Sequence, residues 1–324
     1  MDRRILFRTL ALACALFVLP AHAAPPEEQA SVETVPVPGD PPAAPPADPE
    51  AECTADLEAC SRLGNEMAEG DGMAKDEVRA AALFASGCDR NDPASCILLG
   101  IAHHYGRGVP QDSERAAALF ARACTAGEAT GCSNLGLAYV KGEGVARDEK
   151  RAAGLFRSAC DAGDDGGCSN LGTAHVKGLG VKRDLRRALP LFTQACDGGD
   201  TNGCYNLGVV YADGLGVKRD RPRAAALYES ACDREEANAC NNLALFHRKG
   251  RGGLARDRVR ADVLFDQGCT LGSAESCLEL GRSLRADDPA RAATLFRRAL
   301  EIEPGLAKAK RALAALERKS RSSD

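Results

Sequence analysis

The chain has 324 residues, of which 15 are cysteine, none is tryptophan and 4% are aromatic. That cysteine content excludes an ordinary protein of the reducing cytosol. The formal net charge of −4 arises near the N-terminus, since residues 1–23 carry +2, residues 24–50 carry −6 and residues 51–324 sum to zero. A neutral body argues against non-specific nucleic-acid binding, which needs many phosphate-neutralising Lys and Arg side chains.

The first 23 residues are typical of a signal peptide. Three arginines precede an apolar run over residues 9–19, and small residues lead to a cleavage site at Ala23. The run of roughly a dozen residues is shorter than the ~20 that a spanning helix needs. A lipoprotein anchor at Cys14 lacks a good lipobox. We therefore predict cleavage near Ala23 and a periplasmic or secreted mature chain without a membrane span.

Residues 24–50 have the composition of a disordered acidic linker. They hold nine of the sixteen prolines and six acidic residues, with no Lys or Arg. Such a segment is too polar to form a core and leans toward polyproline II.

Cysteine spacing organises residues 51–300. With Cys14 set aside, the cysteines form seven neighbouring pairs: Cys53 and Cys60, Cys88 and Cys96, Cys124 and Cys132, Cys160 and Cys168, Cys196 and Cys204, Cys232 and Cys240, Cys269 and Cys277. From Cys88 onward each pair starts 36 residues after the previous one, with 37 for the final step. A fixed period of this size indicates a stacked repeat.

Other residues recur at fixed distances from the second cysteine of each pair. A small residue follows four positions on, as Gly64, Gly100, Gly136, Gly172, Gly208 and Ala244, and paired glycines follow at ten and twelve. An aspartate follows at sixteen, as Asp76, Asp112, Asp148, Asp184 and Asp220, with Asp257 after a one-residue insertion. Glycine permits chain reversal at positive φ, and aspartate caps the next helix.

The apolar residues between these breakers follow helical spacing, and no segment alternates like a strand. Each repeat is therefore predicted to be two antiparallel helices: helix A starts at the second cysteine, and helix B ends at the next pair's first cysteine. The predicted fold is an all-α, right-handed αα-hairpin solenoid over residues 51–300, closed by a capping helix within residues 301–324.

The cysteine pairing is open to three interpretations. Neighbour pairing uses all fourteen, whereas joining Cys60 to Cys88 and so on leaves Cys53 and Cys277 stranded. Zinc sites typically show shorter C-x2-4-C spacing, so disulfides are favoured over a metal. A continuous helix would hold Cys53 and Cys60 about 10 Å apart, beyond disulfide reach. We therefore predict a turn around residues 54–56.

The repeat motif resembles a known family. The Sel-one-like repeat, a longer relative of the tetratricopeptide repeat, has the pattern found here at Leu135, Gly136, Tyr139, Gly142, Gly144, Val145, Asp148, Ala152, Leu155, Phe156, Ala159 and Cys160. The added cysteine pair is similar to the cysteine-rich Hcp family of bacteria. The resemblance covers about residues 53–300, and the segment after Glu301 looks like a tetratricopeptide ending.

The resemblance to the Hcp family implies penicillin binding and weak β-lactamase activity. The sequence contains no S-x-x-K, S-D-N, K-T-G, G-x-S-x-G or H-E-x-x-H motif. We therefore assign no catalytic residue, metal or cofactor, and leave enzyme activity open. His103, His175 and His247 share one repeat position with Tyr139 and Tyr211, which indicates a packing role.

A better candidate site is the face of helix A turned away from helix B. That face carries the amides Asn134, Asn170, Asn206 and Asn242 and the cations Lys141, Lys177 and Lys249. Amides can pair with an extended peptide backbone while ammonium groups meet its carboxylates. Alternatively, the asparagines satisfy the backbone of neighbouring repeats.

The sequence thus predicts an exported, disulfide-rich, monomeric repeat scaffold that binds a peptide or protein partner on its concave face. The alternative function is a penicillin-binding protein with weak β-lactam hydrolase activity.

Overall fold

The structure is a computed structural model that describes residues 52–54 and 56–321, with side chains to residue 318. The predicted signal peptide (1–23) and acidic linker (24–50) lie outside the described residues.

The described chain is helical throughout, without strands, as predicted. The odd-numbered helices from α1 to α13 are the A helices and the even-numbered ones are the B helices of successive hairpins, and α15 follows the last hairpin. Their bounds are α1 Leu57–Glu69, α2 Glu77–Asp89, α3 Pro93–Tyr105, α4 Ser113–Thr125, α5 Ala129–Lys141, α6 Glu149–Asp161, α7 Asp165–Lys177, α8 Leu185–Gly198, α9 Thr201–Asp213, α10 Arg221–Asp233, α11 Ala237–Lys249, α12 Arg258–Thr270, α13 Ala274–Leu284, α14 Pro289–Ile302 and α15 Ala307–Arg321.

The described residues form two compact units that divide between Arg122 and Ala123, within α4. In the N-terminal unit α1 packs against α2, and in the C-terminal unit α5, α7, α9, α11 and α13 each pack against the B helix that follows. We refer to residues up to 122 as the N-terminal unit and to residues 123–321 as the C-terminal unit.

The small residue of helix A lets an aromatic ring of helix B pack directly on the backbone. A Cβ added at Gly172 would lie 2.6 Å from Cε1 of Phe192, and one at Gly208 would lie 2.6 Å from Cε1 of Tyr228. Both distances are shorter than a carbon–carbon contact permits. The glycine is therefore required by the approach of helix B.

The predicted aspartate caps are confirmed. Each accepts a hydrogen bond from a backbone N–H in the first turn of its B helix, as with Asp148 and the Arg151 N–H at 2.9 Å. The caps are Asp76, Asp112, Asp148, Asp184, Asp220 and Asp257. These bonds satisfy orphan donors at the helix start and fix where each B helix begins.

The glycine loops stack directly on the preceding hairpin. Gly178 and Gly180 have positive φ values of 76° and 66°. A Cβ at Gly180 would lie 1.9 Å from the carbonyl oxygen of Glu149, at the start of the previous B helix. Glycine here serves both the turn and the close approach between repeats.

Seven disulfides join the neighbouring cysteines that the spacing favours, with Cα–Cα distances of 4.4–4.7 Å. At the first pair, Asp56 is extended, with φ −128° and ψ 122°, and caps α1. This break is the predicted turn, and it brings the Cα atoms of Cys53 and Cys60 within 4.5 Å.

Long side chains also tie several of the disulfide turns to the previous one. In the N-terminal unit, Arg122 donates to the carbonyl oxygen of Cys88 at 2.5 Å and to Asn91 Oδ1 at 2.8 Å. In the C-terminal unit, Arg234 donates to the Gly199 carbonyl oxygen. A cation at a helix C-terminus satisfies its free carbonyls and opposes the helix dipole.

The last hairpin has a shorter turn, and Asp288 caps α14. The following helix α15 packs on α14, burying Leu306 and Ala309 with Ile302. A terminal helix that covers the exposed apolar side of the last repeat is what a repeat stack needs for solubility.

Candidate functional site: the A-helix face

The candidate site lies on the A helices of the C-terminal unit. Helix α5 contacts α7, α7 contacts α9, and α11 contacts α13, whereas α9 with α11 and all successive B helices of this unit make at most marginal contacts. Since the A helices lie closer together than the B helices, they form the inner face of this unit. That is the face on which the sequence places the asparagines and lysines.

The four asparagines stand at one position of successive A helices and are all half-buried. Nδ2 of Asn134 is buried and has no hydrogen-bond partner among the described residues. Nδ2 of Asn170 donates to Ser133 Oγ of the preceding A helix at 3.3 Å. The asparagines of this row therefore fall into two groups. Asn134 has an unsatisfied side-chain amide, whereas others, such as Asn170, join neighbouring repeats.

Asn242 belongs to the second group. Its side chain hydrogen-bonds the hydroxyls of Tyr205 on α9 and Tyr228 on α10. Tyr228 is 2% exposed and stands where the preceding B helices carry Phe156 and Phe192, so its hydroxyl needs a buried partner. Burial raises the pKa of both tyrosines. The substitution of Tyr for Phe in one repeat was a sequence signal for this role of Asn242.

The row ends at Glu279, a residue that the sequence prediction missed. Glu279 follows Cys277 by two positions, as each asparagine follows its own cysteine. It is 17% exposed and ion-paired with Arg248 at 2.5 Å and Arg282 at 2.7 Å. Counting two positions on from the last cysteine would have identified it.

An apolar row and a lysine row accompany the asparagines. Leu137, Thr173, Val209 and Leu245 are half-buried and lie one turn from the asparagines. Lys141, Lys177 and Lys249 are exposed at the C-terminal ends of their helices, where Lys141 lies 3.6 Å from Glu143. Amide, apolar and cationic groups thus recur along the face at a pitch of about 10 Å, the usual spacing of packed helices.

The histidines serve the hairpin turns. Nδ1 of His175 lies 3.4 Å from the carbonyl oxygen of Lys182, and His103 makes the same contact with Pro110 at 3.2 Å. Both rings are 5% exposed. Nδ1 of His247 is buried without a partner among the described residues, where the turn is one residue longer. The packing interpretation of this position is therefore supported.

Acidic residues cap the A helices at the opposite end of the hairpins. Burial raises the pKa of Asp200 to about 6, and the charges of Asp164 and Asp165 raise it further. Hydrogen bonds from the Gly203 N–H and the Ser169 hydroxyl act in the other direction. Burial also raises the pKa of Glu236, the corresponding cap of α11.

Asp200→Asn is expected to stabilise the C-terminal unit at pH 7 by about 2 kcal/mol. Since the pKa of Asp200 is higher in the folded than in the unfolded chain, the folded state binds more protons between about pH 4 and 6, and its stability falls as pH rises through that window. Asparagine retains the cap without the buried charge. Urea unfolding from pH 3.5 to 8 measures the effect.

The matched control is Asp148→Asn, at an exposed cap with one backbone hydrogen bond. Asp148→Asn should not raise the free energy of unfolding by a comparable amount at pH 7. If Asp200→Asn raised the free energy of unfolding by the same amount at every pH, the buried charge would have no role in the effect.

The described residues show no membrane-spanning helix, metal-binding cluster or activated serine. None of the described helices combines the length and hydrophobicity of a membrane span, and no cluster of three or more His, Cys, Asp or Glu there could hold a metal ion. The buried serines serve helix ends and neighbouring side chains, as with Ser95 Oγ, which donates to Asp92, and Ser133 Oγ, which accepts from Asn170. These contacts provide no activated nucleophile.

Seven consecutive segments of the chain match the Sel1 repeat: residues 57–92, 93–128, 129–164, 166–200, 201–235, 237–273 and 271–301. The chain belongs to the Sel1-repeat family. It is therefore a helical scaffold of a type typical of protein-interaction modules. Its many disulfides suggest an oxidising, exported compartment.

Solved structures agree with this assignment. A protective antigen of uropathogenic Escherichia coli with the same repeat fold is 28% identical, with a TM-score of 0.58, and the alignment covers 83% of this chain and 58% of the antigen. A Sel1 repeat protein from Oxalobacter formigenes is 24% identical, with a TM-score of 0.62 and coverage of 74% and 96%. The chain thus spans little more than half the length of the E. coli antigen.

The Helicobacter pylori cysteine-rich protein B is 27% identical over 40% of this chain and 93% of its own, with a TM-score of 0.33. No curated protein matches the chain significantly.

Proposed function

We propose that the A-helix face of the C-terminal unit binds an extended peptide segment of a protein partner that carries acidic side chains. The observation that carries this proposal is the buried, unpartnered Nδ2 of Asn134 beside half-buried Leu137. An unsatisfied buried donor costs about 1–3 kcal/mol, which would be recovered if the half-buried Asn134 side chain turned its amide toward the carbonyl of a bound peptide.

The chemistry of the face fits a peptide in three ways. The amides of Asn134 and Asn206 pair with its backbone, the apolar row accepts side chains, and Lys141, Lys177 and Lys249 meet its carboxylates. Asn170 and Asn242 hold the row in place through Ser133, Tyr205 and Tyr228. The β-lactam hydrolase alternative draws no support from the serine contacts described above.

A phage-displayed random peptide library panned on the mature chain tests this proposal. The selected peptides should be enriched in Asp and Glu. Their dissociation constants should rise about tenfold to a hundredfold in Asn206→Ala/Lys177→Ala, which removes one amide and one cation from the face.

The matched control is Gln194→Ala/Arg157→Ala, which removes an exposed amide and an exposed cation from B helices. It should bind the selected peptides as tightly as the parent. Equal affinities for the two double variants, with unchanged helicity, would place the peptide on another surface and overturn the proposal.

A further inference from the structure

The zero net charge of residues 51–324 conceals a strong separation of charge in the C-terminal unit. The loop and first turn leading into α6, α8, α10 and α12 hold fifteen Lys or Arg against five acidic residues. We call these segments the basic edge: residues 147–151, 182–187, 218–223 and 251–260, with net charges of +1, +3, +3 and +3.

The opposite edge is acidic. Between the paired cysteines of this unit lie ten Asp or Glu and a single Arg, Arg234. Most of the intervening helices are 13 residues long, so the two edges are about 20 Å apart at a rise of 1.5 Å per residue. Attraction between them is therefore largely screened at physiological salt, and each edge presents its own field.

The segments of the basic edge are contiguous. Backbone atoms of Gly180 pack on Glu149, those of Gly216 on Leu185, and those of Gly252 on Arg221. Between the first two segments lies an open cleft of about 750 Å³ whose lining includes Arg147, Lys150 and Lys182. The cations thus follow one another along a single line of stacked loops.

Most of the acids on this edge are already engaged. Asp148, Asp184, Asp220 and Asp257 each accept a backbone N–H at the start of a B helix, and Glu149 is ion-paired with Arg147. The side chains of Lys150, Lys182, Arg186, Lys218 and Arg258 are exposed. The edge therefore carries an uncompensated positive field.

The basic edge is not a general property of the repeat. The equivalent segments of the N-terminal unit, residues 75–79 and 111–115, have net charges of 0 and −1. Stacked hairpins do not require cations at these positions. The concentration of charge in four consecutive repeats thus needs a separate explanation.

We propose that the basic edge binds a linear anionic polysaccharide. Cations that recur at a pitch of about 10 Å suit a polymer with regularly spaced carboxylate or sulfate groups. The described exposed large apolar side chains of this unit are Val259 and Val263. The half-buried rings of Tyr139 and Tyr211 beside the edge are covered by the guanidinium groups of Arg151 and Arg223, at 5.3 and 4.4 Å from the ring centroids. The edge therefore offers no fully exposed aromatic ring for stacking nucleic-acid bases. An exported compartment also favours a polysaccharide. This surface is separate from the A-helix face.

Dextran sulfate, with uncharged dextran as its matched control, tests the proposal on the full mature chain by isothermal titration calorimetry. Dextran sulfate should bind with an affinity that falls steeply with salt, because binding releases counterions, and dextran should not bind. Lys182→Glu/Lys218→Glu/Arg258→Glu should weaken binding by about 30-fold or more. The charge-matched control Lys308→Glu/Lys310→Glu/Arg311→Glu, on α15, should change it by less than about threefold.

Three results would overturn the proposal. Equal losses in the two triple variants would show an effect of net charge alone. Tighter binding of single-stranded DNA than of dextran sulfate would assign the edge to nucleic acid. Binding that appears only after deletion of residues 24–50 would show that the chain's own acidic linker occupies the edge.

Discussion

Gly180→Ala is expected to lower the free energy of unfolding of the C-terminal unit by about 3–5 kcal/mol. The new Cβ would lie 1.9 Å from the Glu149 carbonyl oxygen and 2.6 Å from the Lys150 nitrogen, so it meets backbone that has no rotamer to change. Alanine must also adopt a φ of 66°. Chemical denaturation followed by circular dichroism measures the loss.

Gly163→Ala separates the cost of the positive φ from the cost of the clash between the new Cβ and the neighbouring backbone. Gly163 also has a positive φ, of 88°, but an added Cβ would have no neighbour within 4 Å. Only the left-handed backbone opposes alanine there, at about 1 kcal/mol. If both variants lost the same stability, the close approach between repeats would have no energetic importance.

Removing one disulfide is the second change for which we expect a large effect. Cys160→Ala/Cys168→Ala opens a nine-residue loop, and the chain-entropy estimate for such a loop is about 2.6 kcal/mol. Cys168 is fully buried and Cys160 is 5% exposed, so lost packing adds to that figure. We expect a total loss of about 3 kcal/mol, measured by urea unfolding under non-reducing conditions.

The parent protein supplies the control. Under a reductant that opens all seven bridges, most of the difference between parent and variant should disappear, because the entropic restraint is then absent from both. A variant as stable as the oxidised parent would show that the remaining six bridges and the core already fix this repeat.

These disulfides also explain how the chain manages with few aromatic residues. In most hairpins the core relies on one Phe or Tyr of helix B set against a glycine of helix A. The hairpin of α11 and α12 instead buries Phe246 and Phe265 and has Ala244 as its small residue. Bridges at every turn add stability where apolar surface is scarce. Cysteine thus has a structural role in this chain. The A-helix face and the basic edge, which contain no cysteine side chains, remain available for partners.

The sequence alone was sufficient for the fold. A nearly constant 36-residue period places each cysteine, cap and glycine at equivalent points of a hairpin, so the order of the helices and the favoured bridges follow from local geometry. The sequence predicts the start of helix A at the second cysteine, whereas the A helices begin three residues earlier, as α5 does at Ala129. The turn before Cys60 was predictable for the same reason, since a continuous helix could not form that disulfide. Local rules apply because each repeat contacts mainly its neighbours.

The candidate site was only partly predictable. Periodicity placed the asparagines on one face, but it could not distinguish Asn134, whose Nδ2 has no partner among the described residues, from Asn242, which serves the tyrosine hydroxyls. That distinction depends on side chains contributed by other repeats. Glu279 was missed because the search was for amides and its role depends on Arg248 and Arg282.

The sequence by itself thus determined an all-α array of disulfide-linked hairpins, because spacing and capping act within a few residues. Only the tertiary structure decided which asparagines are engaged, why Gly180 must be glycine and how residues 51–324, which sum to zero charge, present one basic and one acidic edge. Those properties depend on contacts between side chains and loops of different helices, such as Asn170 with Ser133 and Gly180 with Glu149, which packing and stacking create and which no local pattern encodes.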